Sequence, residues 1–275
     1  YTLVIGVKSD PVLHYFFNHA RVRQDKRFLF INIDRIGDDI QITKKGWGLP
    51  CGGFLVHENV ESVYNRMFVA GNVGSKSLHY LHWLLDEFYP KVVNRPKSTL
   101  TNFSKVWQLN AAKRIGFTIP KTHVYANRKV LQSDMCHIYK SISSIRSVVC
   151  FVQSNRQKVV HEPVVIQEDK GRKNIRVHQI GKCFFTQQIV SKEVDYRYDR
   201  GQLKWVDANL PQSIEQKLYD LSDEMGLTFL GADFMLQEGQ YYFLEANPSP
   251  GYVYFEQKMK GSPITKALCA YLRGP

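Results

Sequence analysis

The sequence predicts a mixed fold of the α/β and α+β classes: an open N-terminal α/β layer, a small central α+β unit and a mainly antiparallel C-terminal sheet. The first layer is indicated by apolar, β-branched runs at 2–7 and 27–34, joined by a helix that begins at Asp10-Pro11. Asp10 suits the N-cap and proline suits the first helical position. The C-terminal sheet is indicated by three apolar runs between residues 164 and 190 and by a later hairpin.

Capping and turn residues divide the rest of the chain. A helix from Lys76 to Tyr89 is stopped by Pro90, and a helix that follows Thr101 ends at Gly116. The other predicted elements are strands at 41–43, 54–57, 62–68, 91–94, 123–126, 136–140 and 148–153, a helix with a capping box at Ser213 and Gln216, and a closing helix at 263–272. We expect an N-terminal α/β domain at 1–95, a central subdomain at 96–160 and a C-terminal subdomain at 161–275.

Composition indicates an intracellular globular protein. The 275 residues allow roughly two domains, and the 44% hydrophobic content can bury a core. No run approaches the ~18 uncharged apolar residues of a membrane span, and the five cysteines are scattered without a CxxC spacing. We therefore expect a cytoplasmic protein, with no membrane association and with reduced cysteines, that can form a homo-oligomer.

The net charge of +12 creates a positive field that attracts nucleotides, acidic peptides or nucleic acid. The basic residues are spread along the chain without a long run. This spacing favours a solvated basic surface over a nucleic-acid-binding stripe.

The hairpin at 229–247 carries two carboxylates, Asp233 and Glu245, in otherwise apolar strands. A three-residue loop pairs Gln237 with Tyr241, and it sets Asp233 opposite Glu245 with Asn247 on the same face. A two-residue turn would instead send the carboxylates to opposite faces. In the first register the three side chains predict a Mg²⁺ site, because carboxylates on a covered face need a cation; the alternative is a hairpin whose acids face water.

Two lysines precede features that suit phosphate. Lys140 ends a predicted strand before a serine-rich loop, in which Ser141, Ser143 and Ser144 can offer hydroxyl and backbone N–H groups. Lys105 lies in the first turn of a helix, where the macrodipole prefers an anion. A bound phosphate explains both lysines, although a strand-end lysine is more often simply solvated.

Arginines recur in the C-terminal part. Arg176 lies in an apolar strand and Arg197 follows in the tripeptide DYR at 195–197. A half-buried arginine needs a carboxylate or a phosphate as partner, and an ordinary ion pair explains either residue alone.

Taken together, the chain from Arg95 onward resembles the ATP-grasp superfamily. The similarity is closest to the branch with ribosomal-protein glutamate ligases, glutathione-synthetase-like enzymes and graspetide ligases. The matching features are Lys105, Lys140 with its small-residue loop, the segment Gln167-Glu168-Asp169, Arg176, and the set Asp233, Glu245 and Asn247, followed by the motif EANPSPG at 245–251.

The resemblance implies an ATP-grasp fold and an ATP-dependent carboxylate–amine or carboxylate–hydroxyl ligase that acts through an acyl phosphate and releases ADP and phosphate. Its substrate would be an amino acid, a peptide or an amino-acid conjugate. It implies nucleotide binding by Lys105, Lys140, Ser141, Ser143, Ser144, Gln167, Glu168 and Asp169, with adenine against 165–169. It further implies Mg²⁺, or Mn²⁺, on Asp233, Glu245 and Asn247, and catalytic roles for Arg176 and Arg197.

Two departures and two alternatives accompany this interpretation. The loop SISSIRS at 141–147 has no glycine, and Asn174 stands where relatives have aspartate. One alternative is a ligase that modifies or macrocyclises a ribosomally made precursor peptide, and another is a non-catalytic binder of acidic peptide or nucleic acid. Tyr252 and Tyr254, two apart in a predicted extended stretch, are candidates for a substrate wall or for packing at a domain junction.

Overall fold

The computed structural model of the protein describes residues 1–67, 75–125, 134–142, 149–152, 163–193, 195–196, 199 and 203–274. These residues form two compact units. The first consists of residues 1–99, 226–229 and 249–275, and the second of residues 100–225 and 230–248. Along the described ranges, no helix is both long enough and apolar enough to cross a membrane.

Most strands fall close to their predicted positions, but those at 46–48 and 204–208 were not predicted. The strands are β1 (Thr2–Gly6), β2 (Phe28–Asn32), β3 (Gln41–Ile42), β4 (Gly46–Gly48), β5 (Phe54–Val56), β6 (Ser62–Asn65), β7 (Val92–Val93), β8 (Thr122–Tyr125), β9 (Asp134–Ser141), β10 (Val149–Val152), β11 (Val164–Glu168), β12 (Lys173–Ile180), β13 (Cys183–Val190), β14 (Lys204–Ala208), β15 (Phe229–Gln237) and β16 (Gln240–Asn247).

The helices are α1 (Pro11–Asn18), α2 (Ala20–Gln24), α3 (Ser75–Trp83), α4 (Pro96–Thr99), α5 (Lys105–Ile115), α6 (Gln212–Glu224), α7 (Val253–Glu256) and α8 (Pro263–Arg273). The predicted N-cap of α1 is confirmed, since Asp10 Oδ1 accepts from the Val12 N–H at 2.8 Å. The capping box at Ser213 and Gln216 is wrong: α6 begins at Gln212, directly after Pro211, without a side-chain cap.

The first unit contains the predicted open α/β layer. Its sheet has the order β2-β1-β6-β7, and all neighbouring strands are parallel. The chain passes from β1 to β2 on one side of β1, and later adds β6 and then β7 on the other side. Leu3, Ile5, Ile31 and Val63 fill its core and are fully buried.

The tyrosines after the hairpin do not form the predicted extended pair. Residues Val253–Glu256 are a short helix, so Tyr252 and Tyr254 cannot face one side as strand residues would. Tyr252 is fully buried, receives a hydrogen bond from Thr265 at 3.2 Å and packs against Phe229, whereas Tyr254 is half exposed. Tyr252 is therefore a core residue of the first unit.

The second unit contains two sheets, of order β10-β9-β11-β8 and β14-β13-β12-β15-β16. The run at 164–168 was expected in the C-terminal sheet, but as β11 it pairs antiparallel with β8 and β9. The local pattern cannot distinguish these partners, because it fixes a strand and not its neighbours.

The hairpin has the predicted pairing of its two carboxylates, but its turn and strand register differ from those predicted. Gln237 pairs with Gln240, not with Tyr241, and the turn has two residues, Glu238 and Gly239, both with positive φ. Such a turn alone would place the two carboxylates on opposite faces. A bulge between Asp233 and Phe234 shifts the pairing by one residue, so Asp233 lies opposite Glu245 as predicted.

Candidate functional site

A row of polar side chains crosses one face of the five-stranded sheet in the second unit. Asp233 on β15 lies opposite Glu245 on β16, and Arg176 on β12 lies opposite Gln187 on β13. Arg176 Nη1 donates to Asp233 Oδ2 at 2.8 Å, which joins the two pairs across adjacent strands. The row therefore reads Gln187, Arg176, Asp233, Glu245 across four consecutive strands.

Helix α5 brings a lysine to one end of this row. Lys105 Nζ lies 2.8 Å from Glu245 Oε2, and the lysine side chain is 3% exposed. The helix begins there because Ser104 caps it: its hydroxyl accepts from the Trp107 N–H at 3.2 Å. The Lys105 N–H donates to the Ile142 carbonyl at 2.9 Å, so Lys105 is bonded to the chain directly after β9.

Gln108, one turn further along α5, attaches the helix to β16. Its Nε2 donates to the Ala246 carbonyl at 2.7 Å and its Oε1 accepts from the Ala246 N–H at 3.0 Å. Strand β16 is at the edge of its sheet, so the amide satisfies backbone groups that a further strand would otherwise pair. Gln108 is fully buried, and it joins α5 to β16 three residues after Lys105 and one residue after Glu245.

Lys140 is a third buried cation of the site. Its Nζ donates to Gln167 Oε1 at 2.7 Å, and Gln167 Nε2 donates to Thr122 Oγ1 at 3.0 Å. Burial lowers the pKa of Lys140 to about 8, and Glu245 opposes that shift by raising the pKa, while the neighbouring charge of Lys105 lowers it further. These influences show that Lys140 lies within electrostatic range of the row.

Arg176 remains charged at all relevant pH values. Burial is the largest single influence and acts to lower its pKa, but Asp233, Tyr196 and Glu245 together raise the pKa by more, so that it ends above its usual value. Its Nε donates to His178 Nε2 at 3.4 Å. Burial, and then the charge of Arg176, hold the pKa of His178 well below 6.5, so this imidazole stays neutral and can accept that bond.

The acids of the predicted adenine segment are paired with nearby cations. Glu168 accepts from Lys170 at 2.6 Å, which lowers the pKa of the carboxyl, and both oxygens of Asp169 accept from Arg172 Nη1 at 2.8 Å. Gln167 is 1% exposed and bonded to Lys140. A role of this segment in nucleotide binding stays a prediction.

Other predicted residues lie beside the row or outside the described part of the chain. Asn247 pairs with Gly231 across the hairpin, two residues from the Asp233–Glu245 pair, and Ser141 ends β9 directly after Lys140. Ser143, Ser144 and Arg197 lie outside the described residues.

The donor set suits a hard cation that also binds phosphate. Two carboxylates and an amide oxygen are ligands that Mg²⁺ accepts, and Asp233 and Glu245 are only 23% and 21% exposed. Among the described residues, no cluster of three or more His, Cys, Asp or Glu could hold a metal by itself. A Mg²⁺ ion held by these two carboxylates would take further ligands from Asn247 and from another molecule.

Two residues of the site were not predicted from the sequence. Gln108 and Gln187 are glutamines with no motif around them, and a single glutamine in a helix or strand is usually solvated. For Gln108 the helical spacing from Lys105 was a signal, since residues three apart share a helix face. For Gln187 the signal was its register with Arg176, which a sequence does not fix.

Comparison with known proteins places the fold. No family model matches the sequence, and no curated protein matches it. Solved structures do match. The macrocyclase MdnC from Microcystis aeruginosa MRC, bound with the precursor peptide MdnA, has a TM-score of 0.75 at 18% identity, over 100% of both chains.

A RiPP-associated ATP-grasp ligase from Chryseobacterium gregarium, in complex with ADP and a leader and core peptide, has a TM-score of 0.76 at 18% identity, over 100% of this chain and 97% of that chain. The D-alanine–D-alanine ligase from Bacillus anthracis, complexed with ATP, has a TM-score of 0.59 at 14% identity, over 98% and 90%. The predicted fold is thus confirmed: the chain has the ATP-grasp fold.

Proposed function

We propose that the protein is an ATP-dependent ligase that activates a carboxylate of a peptide as an acyl phosphate and joins it to an amine or a hydroxyl, releasing ADP and phosphate. The observation that carries the proposal is the row on the five-stranded sheet, in which Arg176, Asp233 and Glu245 adjoin each other and Lys105 closes one end. Lys140 adds a third cation, within electrostatic range of Glu245 and Asp233.

The chain's own residues suit phosphoryl transfer. A substrate carboxylate oxygen would attack the γ-phosphorus of ATP, the bond to the bridging oxygen would break, and ADP would leave with the electron pair. Lys105, Lys140 and Arg176 would neutralise the negative charge that is spread over the phosphate oxygens. Mg²⁺, held by Asp233, Glu245 and Asn247, would add positive charge next to those same oxygens. No side-chain base is required for this step.

A peptide substrate is favoured by two facts. Structures determined with a precursor or leader and core peptide match this chain with TM-scores from 0.71 to 0.76, whereas the D-alanine–D-alanine ligase structure matches with 0.59. The net charge of +12 attracts acidic peptides and speeds their encounter with the protein. A ribosomally made precursor peptide rich in Asp and Glu is accordingly the substrate class that we propose.

The test incubates the protein with Mg-ATP and pools of synthetic peptides that contain Asp or Glu together with Lys, Ser or Thr. The expected products are ADP, phosphate and a peptide that has lost one water for each bond formed. Nucleotide products are separated by chromatography and peptides are weighed by mass spectrometry. AMP as the nucleotide product, or ADP release that single amino acids support as well as peptides do, would contradict the proposal.

Glu245→Gln provides the matched variant. It keeps the size of the side chain but removes the charge that lies 2.8 Å from Lys105, and we expect it to fold and to lose ADP formation. Glu238→Gln, an exposed residue in the turn of the same hairpin, is the control and should keep full activity. If Mg-ATP raises the melting temperature of the wild type but no peptide is changed, the protein is a nucleotide binder without this activity.

A further inference from the structure

Gln187 occupies a place in the site that the proposed chemistry does not use. It lies on β13, directly opposite Arg176 on β12, so that the two side chains share one face of the sheet. Directly opposite residues of antiparallel strands have Cβ atoms roughly 5 Å apart. On the other neighbouring strand, β14, the residue opposite Gln187 is Asp207, which is exposed. Gln187 therefore extends the row beyond Arg176.

The carbonyl oxygen of this side chain is a buried acceptor without a donor. Gln187 is 1% exposed, and across the described part of the chain its Oε1 accepts no hydrogen bond. Leaving such a group buried and unpaired costs free energy. Val or Ile at this position would be free of that cost. Among the described residues the oxygen is thus an unsatisfied acceptor on the face that carries Arg176, and a donor from a bound molecule would satisfy it.

The order of the row indicates which molecule brings that donor. Under the proposed function, the phosphates lie where Lys105, Glu245 and Asp233 meet, and Arg176 lies at the transferred phosphoryl group. Gln187 is on the far side of Arg176 from the phosphates. The activated acid and its phosphate offer only acceptor oxygens at that point, so they cannot satisfy Gln187 Oε1.

We propose that Gln187 Oε1 accepts the hydrogen bond of the incoming nucleophile, an amine N–H or a hydroxyl O–H of the peptide, and holds its lone pair toward the acyl phosphate. This proposal rests on the proposed function. In the step that follows, the nucleophile forms the new C–N or C–O bond, the bond from the acyl carbon to the phosphate oxygen breaks, and phosphate leaves with the electron pair. The proton of the nucleophile passes to the departing phosphate.

A neutral amide suits this task better than a carboxylate would. A carboxylate beside an amine stabilises the ammonium form, which has no lone pair with which to attack. A carboxylate opposite Arg176 would also compete with Asp233 for the guanidinium. The amide accepts one hydrogen bond and leaves both the amine and Arg176 in the state that the reaction needs.

The experiment separates activation of the acid from attack by the nucleophile. The peptide of the pool that the wild type dehydrates is incubated with Mg-ATP, with and without concentrated hydroxylamine. Hydroxylamine converts an acyl phosphate into a hydroxamate without needing to be positioned, so the hydroxamate measures activation and the loss of water measures ligation. Gln187→Met removes the acceptor at nearly constant volume.

Gln188→Met is the matched control, because Gln188 is the next residue of β13, pairs with Ile175 and so lies on the opposite face. For Gln187→Met we expect hydroxamate within about twofold of the wild type and ligation lowered about ten- to a hundredfold, mainly in kcat, as the loss of one buried hydrogen bond predicts. Gln188→Met should match the wild type in both assays.

The possible failures are distinct. Wild-type ligation by Gln187→Met would overturn the role of Gln187, and so would an equal loss of hydroxamate and ligation in a variant that Mg-ATP still stabilises. A Gln187→Met protein that Mg-ATP no longer stabilises would show a structural role and overturn the proposal as well. A wild type that forms neither hydroxamate nor dehydrated peptide would refute the proposed function itself.

Discussion

Lys140 is a cation of the site whose charge changes with pH around pH 8. Its side chain is 8% exposed, and burial lowers its pKa to about 8. Near neutral pH most molecules therefore carry the charge, and above pH 8 most do not. A phosphate that binds beside it would favour the charged form and raise the pKa again.

We expect the affinity for Mg-ATP to fall about tenfold from pH 7 to pH 9 in the wild type, because binding above pH 8 must first protonate Lys140. Lys140→Arg should show little of this fall, since arginine keeps its charge. Calorimetric titrations in buffers of different ionisation enthalpy would report proton uptake on binding near pH 8.5. Equal pH dependence in the wild type and in Lys140→Arg would exclude Lys140 as a phosphate ligand.

The lowered pKa of Lys140 also makes the free energy of unfolding depend on pH. The folded pKa of about 8 lies below the ordinary 10.5, so the unfolded chain binds more protons between these two values. The contribution of Lys140 to the free energy of unfolding consequently rises with pH across that window. Urea titrations at pH 7.5 and pH 9.5 should show a larger increase for the wild type than for Lys140→Met.

At the scale of elements, the contact between α5 and β16 decides whether Lys105 meets Glu245. Gln108→Met would leave the Ala246 N–H and carbonyl without the partners they have at 3.0 and 2.7 Å. We expect a loss of about 2–4 kcal/mol in the free energy of unfolding, together with weaker stabilisation by Mg-ATP. Gln216→Met, at an exposed position of α6, should change stability by less than about 0.5 kcal/mol. Similar unfolding midpoints for the two variants would refute the role of Gln108.

The hairpin turn offers a second test at this scale. Glu238 and Gly239 have φ values of 51° and 80°, the left-handed conformation that a type I′ turn requires at both positions. Glu238→Asn should stabilise the protein by about 0.5 kcal/mol because asparagine tolerates this conformation, and Gly239→Ala should destabilise it by about 1 kcal/mol. Thermal unfolding with opposite shifts for the two variants is expected. A stabilising Gly239→Ala would contradict the turn assignment.

The hairpin also shows which structural features can be predicted from the local sequence and which cannot. The pairing of Asp233 with Glu245 was predicted, but from a three-residue loop, while the structure combines a two-residue turn with a bulge. The three-residue loop and the bulge each change the pairing of the two strands by one residue, relative to a regular hairpin with a two-residue turn. Bulges depend on the neighbours that a strand packs against, and a single sequence does not reveal those neighbours.

At the scale of the whole molecule, most elements and the charged residues of the site were predictable, and the contacts between distant elements were not. Arg176, Asp233 and Glu245 stand out because charged residues in apolar runs need partners, and Lys105 stands out because it lies in the first turn of a helix. Gln187 does not stand out, because its importance comes only from the strand that lies beside it. For the same reason β11 was assigned to the wrong sheet, although its position in the chain was right.

The central claim is that a peptide carboxylate attacks the γ-phosphate of ATP. Its most direct measurement uses a modified peptide of the pool, prepared with ¹⁸O in its Asp and Glu side-chain carboxyl groups, and follows the label by mass spectrometry of the phosphate and of the nucleotide. An acyl phosphate transfers one carboxyl oxygen to inorganic phosphate for each bond formed, and Glu245→Gln should abolish that transfer. Label in AMP, or bond formation that leaves the inorganic phosphate unlabelled, would contradict the mechanism.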